Sequence, residues 1–300
     1  MNKPIFKKLE LADIEIIKPY LLNNCCRITD WSVGGILLWR DLYNIEYVIY
    51  QKTLVLKIKY YCKCTAFSIM CDEYNHDVME FIKEYCADNH LPLIICLIDR
   101  CLLGKLESLE QLLYIKEERA FFDYLYLTED LQNYRGKKYQ TQRNHVNSFK
   151  KLNYRVEKWH QDQYLEVIAF LDRYYKDKEL NTAYLLEEKH KTYEAFIQDD
   201  YYHFEGVLVY VDEQLCGVAL GESINDTSYQ HIEKALDGYP GIYPFIAQQY
   251  ALQYGVDKVK YINREDDNGD LGLRYSKNKY RPISLLNKYT VEVSNDKTSE

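Results

Sequence analysis

No apolar run in the 300 residues approaches the ~20 consecutive positions that a bilayer-spanning helix needs, so a transmembrane protein is not expected. No CxxC pair occurs either, and no leader-like segment precedes the cysteines. There are nine of them, an odd number, and several sit in apolar runs such as Leu93 to Ile98. That usage predicts small buried thiols in a reducing cytoplasm. Cys62 and Cys64 would share one face of a strand, yet no second pair at ligand spacing accompanies them, so no metal site is expected. A basic excess is missing as well: the net charge of −8 argues against wholesale nucleic-acid binding.

What is present suits a globular chain. A hydrophobic share of 47% supplies a core, and the length predicts two domains of about 150 residues each. The 31 tyrosines are spread along the whole chain, which marks compositional bias before function. Periodicity predicts helices over 12–22, 35–42, 77–87 and 102–113, and strands over 5–9, 46–50, 53–60, 65–70, 93–98 and 121–127. Thr128 is placed to cap a following helix. The second half then reads as strand 153–159, helices 161–175 and 186–198, a hairpin of 206–211 with 215–223, and strand 227–235. Helix 244–254, strand 258–262, helix 270–278 and a final strand 284–293 complete it, leaving 294–300 as a disordered tail.

Two stretches depart from this background. From Asn133 to Lys158 there are eight Lys or Arg and a single acid, Glu157, in an otherwise acidic chain. A solvated helix face competes there with a phosphate-bearing ligand, because the local sign opposes the global charge. The other stretch runs from His231 to Pro244. An alternating strand ends at Gly238 and Gly241, and a helix begins with Pro244 in a position suited to the first helical residue. Spaced glycines before a helix let backbone N–H groups approach an anion, although an ordinary connection has the same appearance.

The two halves repeat one order of elements: strand, two helices, three antiparallel strands, helix, strand, helix, terminal strand. That order resembles the GCN5-related N-acetyltransferase fold, the acyl-CoA N-acyltransferase superfamily. The resemblance implies an α/β (α+β) architecture of tandem domains, each a mixed, mostly antiparallel sheet flanked by helices. It implies a degenerate domain over 1–127, whose corresponding loop at 71–77 lacks glycine and carries acids, and a domain over 128–293 holding the active site. It also implies a coenzyme A pyrophosphate site at Lys234, Gly238, Gly241, Ile242 and Tyr243, with Asn263 in the superfamily's late segment. Tyr275 falls where many of these enzymes keep the tyrosine that protonates the leaving thiolate.

Finer matches are Thr29, Asp30 and Trp31 with Trp39; Gly136, Lys137 and Tyr139 with Arg143, Asn144 and Phe149; His231 to Ala235; and Ile262 to Asp267 before Gly272 to Arg274. Together they resemble bacterial proteins related to the C-terminal domain of phosphatidylglycerol lysyltransferase, and they bring in aminoacyl-tRNA-dependent transferases as relatives.

Acyl transfer needs a base for the nucleophile and an acid for the leaving group. Glu233 and His231 alternate onto one strand face beside the glycine loop, and Glu233 is the favoured base; a carboxylate paired across the sheet is its structural alternative. Arg264, Glu265, Asp266 and Asp267 end a strand where acids would suit a cationic acceptor, or would simply form an ion-pair network. Arg274 and Lys277 are placed to bind cofactor phosphate or acceptor. The leading expectation is therefore an acyltransferase that moves an acyl group from acyl-CoA, such as acetyl-CoA, to a small-molecule or peptide amine. Arg143 and Asn144, among the finer matches, are expected to bind substrate. The alternatives are transfer from an aminoacyl-tRNA to lipid or peptide, for which Arg135 to Lys151 would be the electrostatic footprint on tRNA, with peripheral membrane contact, and a catalytically silent binding module.

Overall fold

The computed structural model describes residues 4–22, 26–59, 64–70, 74–107, 112–176 and 178–294. The first half runs β1 (Lys7–Lys8), α1 (Ile14–Leu22), α2 (Val33–Leu37), β2 (Glu46–Tyr50), β3 (Thr53–Lys59), β4 (Thr65–Ser68), α3 (His76–Asp88), β5 (Leu93–Ile98), α4 (Arg100–Glu107) and β6 (Leu112–Glu117). Then follow β7 (Asp123–Leu127), α5 (Thr128–Asn133), α6 (Gln140–Phe149), β8 (Tyr154–Lys158), α7 (Tyr164–Tyr175), α8 (Ala183–Ile197) and α9 (Asp199–Tyr202). The chain ends with β9 (Glu205–Val211), β10 (Gln214–Ile224), β11 (Thr227–Ala235), α10 (Ile242–Tyr254), β12 (Tyr261–Asn263), α11 (Leu271–Lys279), β13 (Ser284–Leu286) and β14 (Tyr289–Ser294).

These strands form two seven-stranded sheets with one topology, β1-β2-β3-β4-β5-β14-β6 and β8-β9-β10-β11-β12-β7-β13. Each has a single parallel step, β4 to β5 and β11 to β12, and every other pairing is antiparallel. The sixth strand of each sheet is exchanged. β7 follows the first half in sequence yet pairs with β12 and β13, and the last strand, β14, lies between β5 and β6. The expected final strand over 284–293 is thus two strands in two sheets, broken at Asn287 and Lys288. The expected helix over 102–113 ends at Glu107, and β6 begins at Leu112 to edge the sheet beside β14. Both exchanges bring the halves into one body.

The hairpins turn where the sequence placed them. Gln51 and Lys52 join β2 to β3, Asp212 and Glu213 join β9 to β10, and all four take positive φ, as tight two-residue connections require. Between the sheets lies an apolar core that includes Leu54 and Leu56 of β3, Phe170 and Leu171 of α7, and Leu208 and Tyr210 of β9. The outer faces are covered separately. Val207 and Val209 pack with Phe245 and Ile246 of α10, while Val55 and Ile95 pack with Phe81 and Ile82 of α3. The alternation along β9 places successive side chains in different cores, as the pleat demands.

Two local expectations differ. Thr128 is itself the first residue of α5, and its side chain makes no cap bond. The basic segment is no single helix: Tyr134 takes a left-handed conformation, Gly136 follows at φ +83°, and only 140–149 is α-helical, with Val146 and Phe149 buried. Cys86 and Cys216 are free thiols, but Cys101 is disulfide-bonded, unlike the thiols expected throughout. Among the described residues no helix is long and apolar enough to cross a membrane, and no group of metal-ligating side chains occurs.

Candidate functional site

The parallel step of the second sheet is short. β11 pairs with β12 only from Thr227 to Tyr229, so Gln230 onward diverges from its neighbour just where β12 ends at Asn263. The wedge so opened is bridged by side chains. His231 is buried, with Nε2 3.0 Å from Glu222 Oε1 and Nδ1 2.9 Å from Glu265 Oε1. Burial opposes its charge, but the two carboxylates outweigh that and raise its pKa to about 9, which makes it an imidazolium at neutral pH. Burial likewise opposes ionisation of Glu265, yet Lys191 and His231 hold it down at about 2. Glu222 also accepts from the Gly34 N–H at 2.6 Å, tying α2 of the first half to this network.

One residue further along β11's cavity face, Glu233 receives both of its oxygens' bonds from Arg264 Nη2, each at 2.8 Å. The Arg264 guanidinium lies 4.5 Å from the centre of the Tyr280 ring. The loop that carries these partners is fastened by Lys277 of α11, whose Nζ donates to the carbonyls of Arg264 at 2.5 Å, Glu265 at 3.2 Å and Asp266. Burial lowers the Lys277 pKa to about 8. Asn263 accepts from the Glu265 N–H at 2.8 Å and donates to Asp123 at 3.0 Å. Asp267 is enclosed by Arg119 at 3.1 Å, Arg274 at 2.8 Å and the Tyr124 hydroxyl at 2.6 Å, and Arg274, Tyr124 and the Gly269 N–H bring its pKa to about 2 against burial.

Behind this loop, three carboxylates share one ammonium. Lys288, between β13 and β14, lies 2.5 Å from Asp30, 2.8 Å from Asp123 and 3.9 Å from Asp266. Burial pushes the Asp266 carboxyl up to about 7 despite that lysine.

Two adjoining cavities result. A chamber of about 400 Å³ is lined by Glu188 and Lys191 of α8, Gln230, His231, Glu233 and Lys234 of β11, the 264–266 loop, and Lys277 and Tyr280. Tyr184, Glu265 and Asp266 also line a narrow space of about 60 Å³ between the halves, walled by Ile36, Trp39, Ile45 and Ile58 with Asp30 and Lys288. The glycine loop borders a separate, more open cavity of about 400 Å³, shared with Thr141, His145, Tyr243 and Tyr280.

The expected site residues divide among these places. His231, Glu233, Lys234, Arg264, Glu265, Asp266, Lys277 and Tyr243 meet at the inner chamber; Lys234 is ion-paired with Glu188. Gly238, Gly241 and Ile242 lie at the loop cavity. The α10 helix begins at Ile242, so Pro244 is its third residue. Ile242 N–H is taken by the Tyr239 carbonyl and Phe245 N–H by that of Gly241, and Pro244 has none. The first turn therefore offers an anion the Tyr243 N–H. Tyr275 is 67% exposed and lines neither chamber, with Lys279 4.2 Å from its ring. Arg143 folds back onto the carbonyls of Tyr134 and Gly136, Asn144 is exposed, and Arg274 is spent on Asp267. Sequence reasoning passed over Glu222, Glu188, Lys191, Asp123 and Lys288. Polar residues at inward positions of apolar segments, such as Glu222 in β10 and Lys191 in α8, were the signal for two of them.

Architecture and site together define a mixed α/β protein of two mostly antiparallel sheets flanked by helices, whose polar chamber opens at the parallel step of the second sheet. Residues 27–292 match the family of the phosphatidylglycerol lysyltransferase C-terminal domain, and the chain belongs to that family. A conserved protein of unknown function from Bacteroides thetaiotaomicron is similar over 97% of this chain and 100% of its own, with 26% identity and a TM-score of 0.87. L-PGS from Bacillus licheniformis shares the fold at 14% identity and a TM-score of 0.64, over 95% of this chain and 93% of that one. FemX shares it at 11% identity and a TM-score of 0.59, over 97% and 98%. No curated protein matches the chain in sequence.

Proposed function

We propose that the protein is an aminoacyltransferase: a nucleophile bound in the inner chamber attacks the carbonyl of an aminoacyl ester, in the manner that the name of its family describes. The observation that carries this reading is the family match across 27–292. The chamber supplies chemistry to go with it. The nucleophile's lone pair forms the new bond to the carbonyl carbon, its proton passes to Asp266, whose carboxyl titrates near neutrality, and the ester C–O bond breaks as Asp266 returns that proton to the leaving oxygen. His231, held as an imidazolium, and Lys277, bonded to three carbonyls, fix the loop that presents Asp266. The donor is an aminoacyl-tRNA, with the exposed basic residues of 135–151 as its electrostatic contact.

A second reading keeps acyl-CoA as donor, bound at the loop cavity beside the positive-φ Gly238 and Gly241. The family match favours the first. The experiment incubates the protein with tRNA charged with radiolabelled lysine and with phosphatidylglycerol vesicles or small amines, beside a parallel reaction with acetyl-CoA followed by thiol release. Label transferred to an acceptor supports the aminoacyl reading. Thiol release without label transfer supports the second. Neither, across acceptors, would leave the transferase reading without support.

A further inference from the structure

The carboxylates around the inner chamber are already engaged. Glu188 pairs with Lys234, Glu233 with Arg264 and Glu265 with His231, while Asp266 accepts from the Asn268 N–H at 2.9 Å and lies 3.9 Å from Lys288. Two cationic groups, Lys191 and one nitrogen of Arg264, fall outside these pairs. Lys191 sits on the inward face of α8, with Thr192, Ala195 and Phe196, and is only 4% exposed. Among the described residues its ammonium has no hydrogen bond and no ion pair. It faces the ring of Trp39, 3.6 Å from the centroid, and Trp39 stacks on Tyr184 at 5.1 Å. The fields of Glu265 and Glu188 support its charge from farther off, but burial dominates. Arg264, lining the same chamber, leaves its Nη1 buried and without a hydrogen-bond partner. So does Gln230 with its Oε1, although its amide nitrogen reaches Glu233.

Leaving an ammonium buried and unpaired is unfavourable, and an aromatic face offsets only part of that. An apolar residue at position 191 would pack α8 without that cost. A fold that keeps one unpaired ammonium, one unfilled guanidinium N–H group and one unfilled acceptor around a chamber of about 400 Å³ is complementary to a ligand bearing the opposite groups.

We propose that Lys191 and Arg264 Nη1 bind an anionic group, a carboxylate or a phosphate, of the molecule that occupies the chamber, and that Gln230 Oε1 receives an N–H or O–H of the same molecule. On the transferase reading that molecule is the acceptor, and the donor hydrogen belongs to its nucleophile; the anion site itself does not depend on that reading.

The test uses the full chain without substrates. Sodium phosphate and sodium acetate are titrated at constant ionic strength, with chloride as the reference salt, and followed by calorimetry and tryptophan fluorescence. Wild type is expected to bind at least one anion saturably at one site, with a fluorescence change that Trp39→Phe removes while the heat remains. Lys191→Met and Lys191→Gln are expected to weaken binding at least tenfold, and Lys191→Arg to preserve most of it. Lys191→Met is expected to melt above wild type without anion, since it removes an unpaired buried charge; a lysine kept for structure would give the reverse. Phosphate preferred over acetate marks a phosphate ester, and the opposite order marks a carboxylate. No saturable binding to wild type, or equal binding by Lys191→Met and Lys191→Gln, overturns the proposal. Anion binding in a protein that transfers nothing would leave this site standing while the transferase reading falls.

Discussion

Arg264 Nη2 donates to both carboxylate oxygens of Glu233 at 2.8 Å, across the gap where β11 and β12 part. That contact occupies the oxygens of the residue whose position on the strand suggested proton transfer, and it closes one side of the chamber. Glu233→Ala removes the partner of a buried guanidinium and is expected to destabilise the fold by about 3–5 kcal/mol. Urea denaturation measures it. A loss below about 1 kcal/mol would mean that the pair contributes little to the fold.

His231 links pH to stability. Its pKa is raised from 6.5 to about 9, so its contribution is fully present below pH 6.5 and is lost as pH rises through 9. The shift corresponds to roughly 3 kcal/mol. Replacing it by Gln leaves Glu222 and Glu265 without the cation between them. The stability gap between wild type and His231→Gln should therefore be largest near pH 6 and should narrow by pH 9. Lys277, lowered to about 8, works in the opposite sense up to its ordinary value, but it is common to both proteins and cancels in the difference. A gap that stays constant with pH would exclude the imidazolium.

Elements were legible where one physical rule governs them. The hairpins at Gln51–Lys52 and Asp212–Glu213 follow from alternating runs separated by short polar links, and Asp270 caps α11 by accepting from Leu273 N–H at 2.7 Å. What local pattern does not contain is partnership. Nothing near Tyr289 says that its strand crosses to the first sheet, because the reason is the vacancy between β5 and β6, far away in sequence. The site shows the same division. The acids and bases of 231–234 and 264–267 stood out as a group, but which acid meets which base is decided by the divergence of β11 from β12. Tyr275 illustrates the opposite case: a helical position matching a family pattern whose side chain faces solvent, while Tyr280 reaches the chamber.

The two loop glycines should respond differently to a methyl group. Gly241 has φ +87°, and a Cβ there would come 2.2 Å from the His145 carbonyl oxygen, which belongs to the α6 backbone. Gly238 has φ +92° with nothing within 4 Å of its added Cβ. Gly238→Ala should carry only the left-handed backbone cost of about 1–2 kcal/mol, whereas Gly241→Ala should add displacement of α6 and cost more. Chemical denaturation of the two variants compares them directly, and equal losses would show that the close approach is relaxed in solution.

Asp266 carries the proposed proton transfer, and its environment sets the sign of the pH response. Burial raises its pKa to about 7, above the ordinary carboxylate range and despite Lys288 at 3.9 Å. A base must be ionised to act, so transfer should rise with pH through about 7 and level off above it. Asp266→Asn is expected to slow transfer by roughly 10²–10⁴-fold and to remove that inflection. It also removes one of three carboxylates around Lys288 while keeping the amide oxygen for the Asn268 N–H, so the fold should lose little stability. Activity against pH, measured beside thermal melting, separates the outcomes. An inflection that survives in Asp266→Asn would move the base to another group of the chamber, and Lys277, lowered to about 8, would be the next to replace.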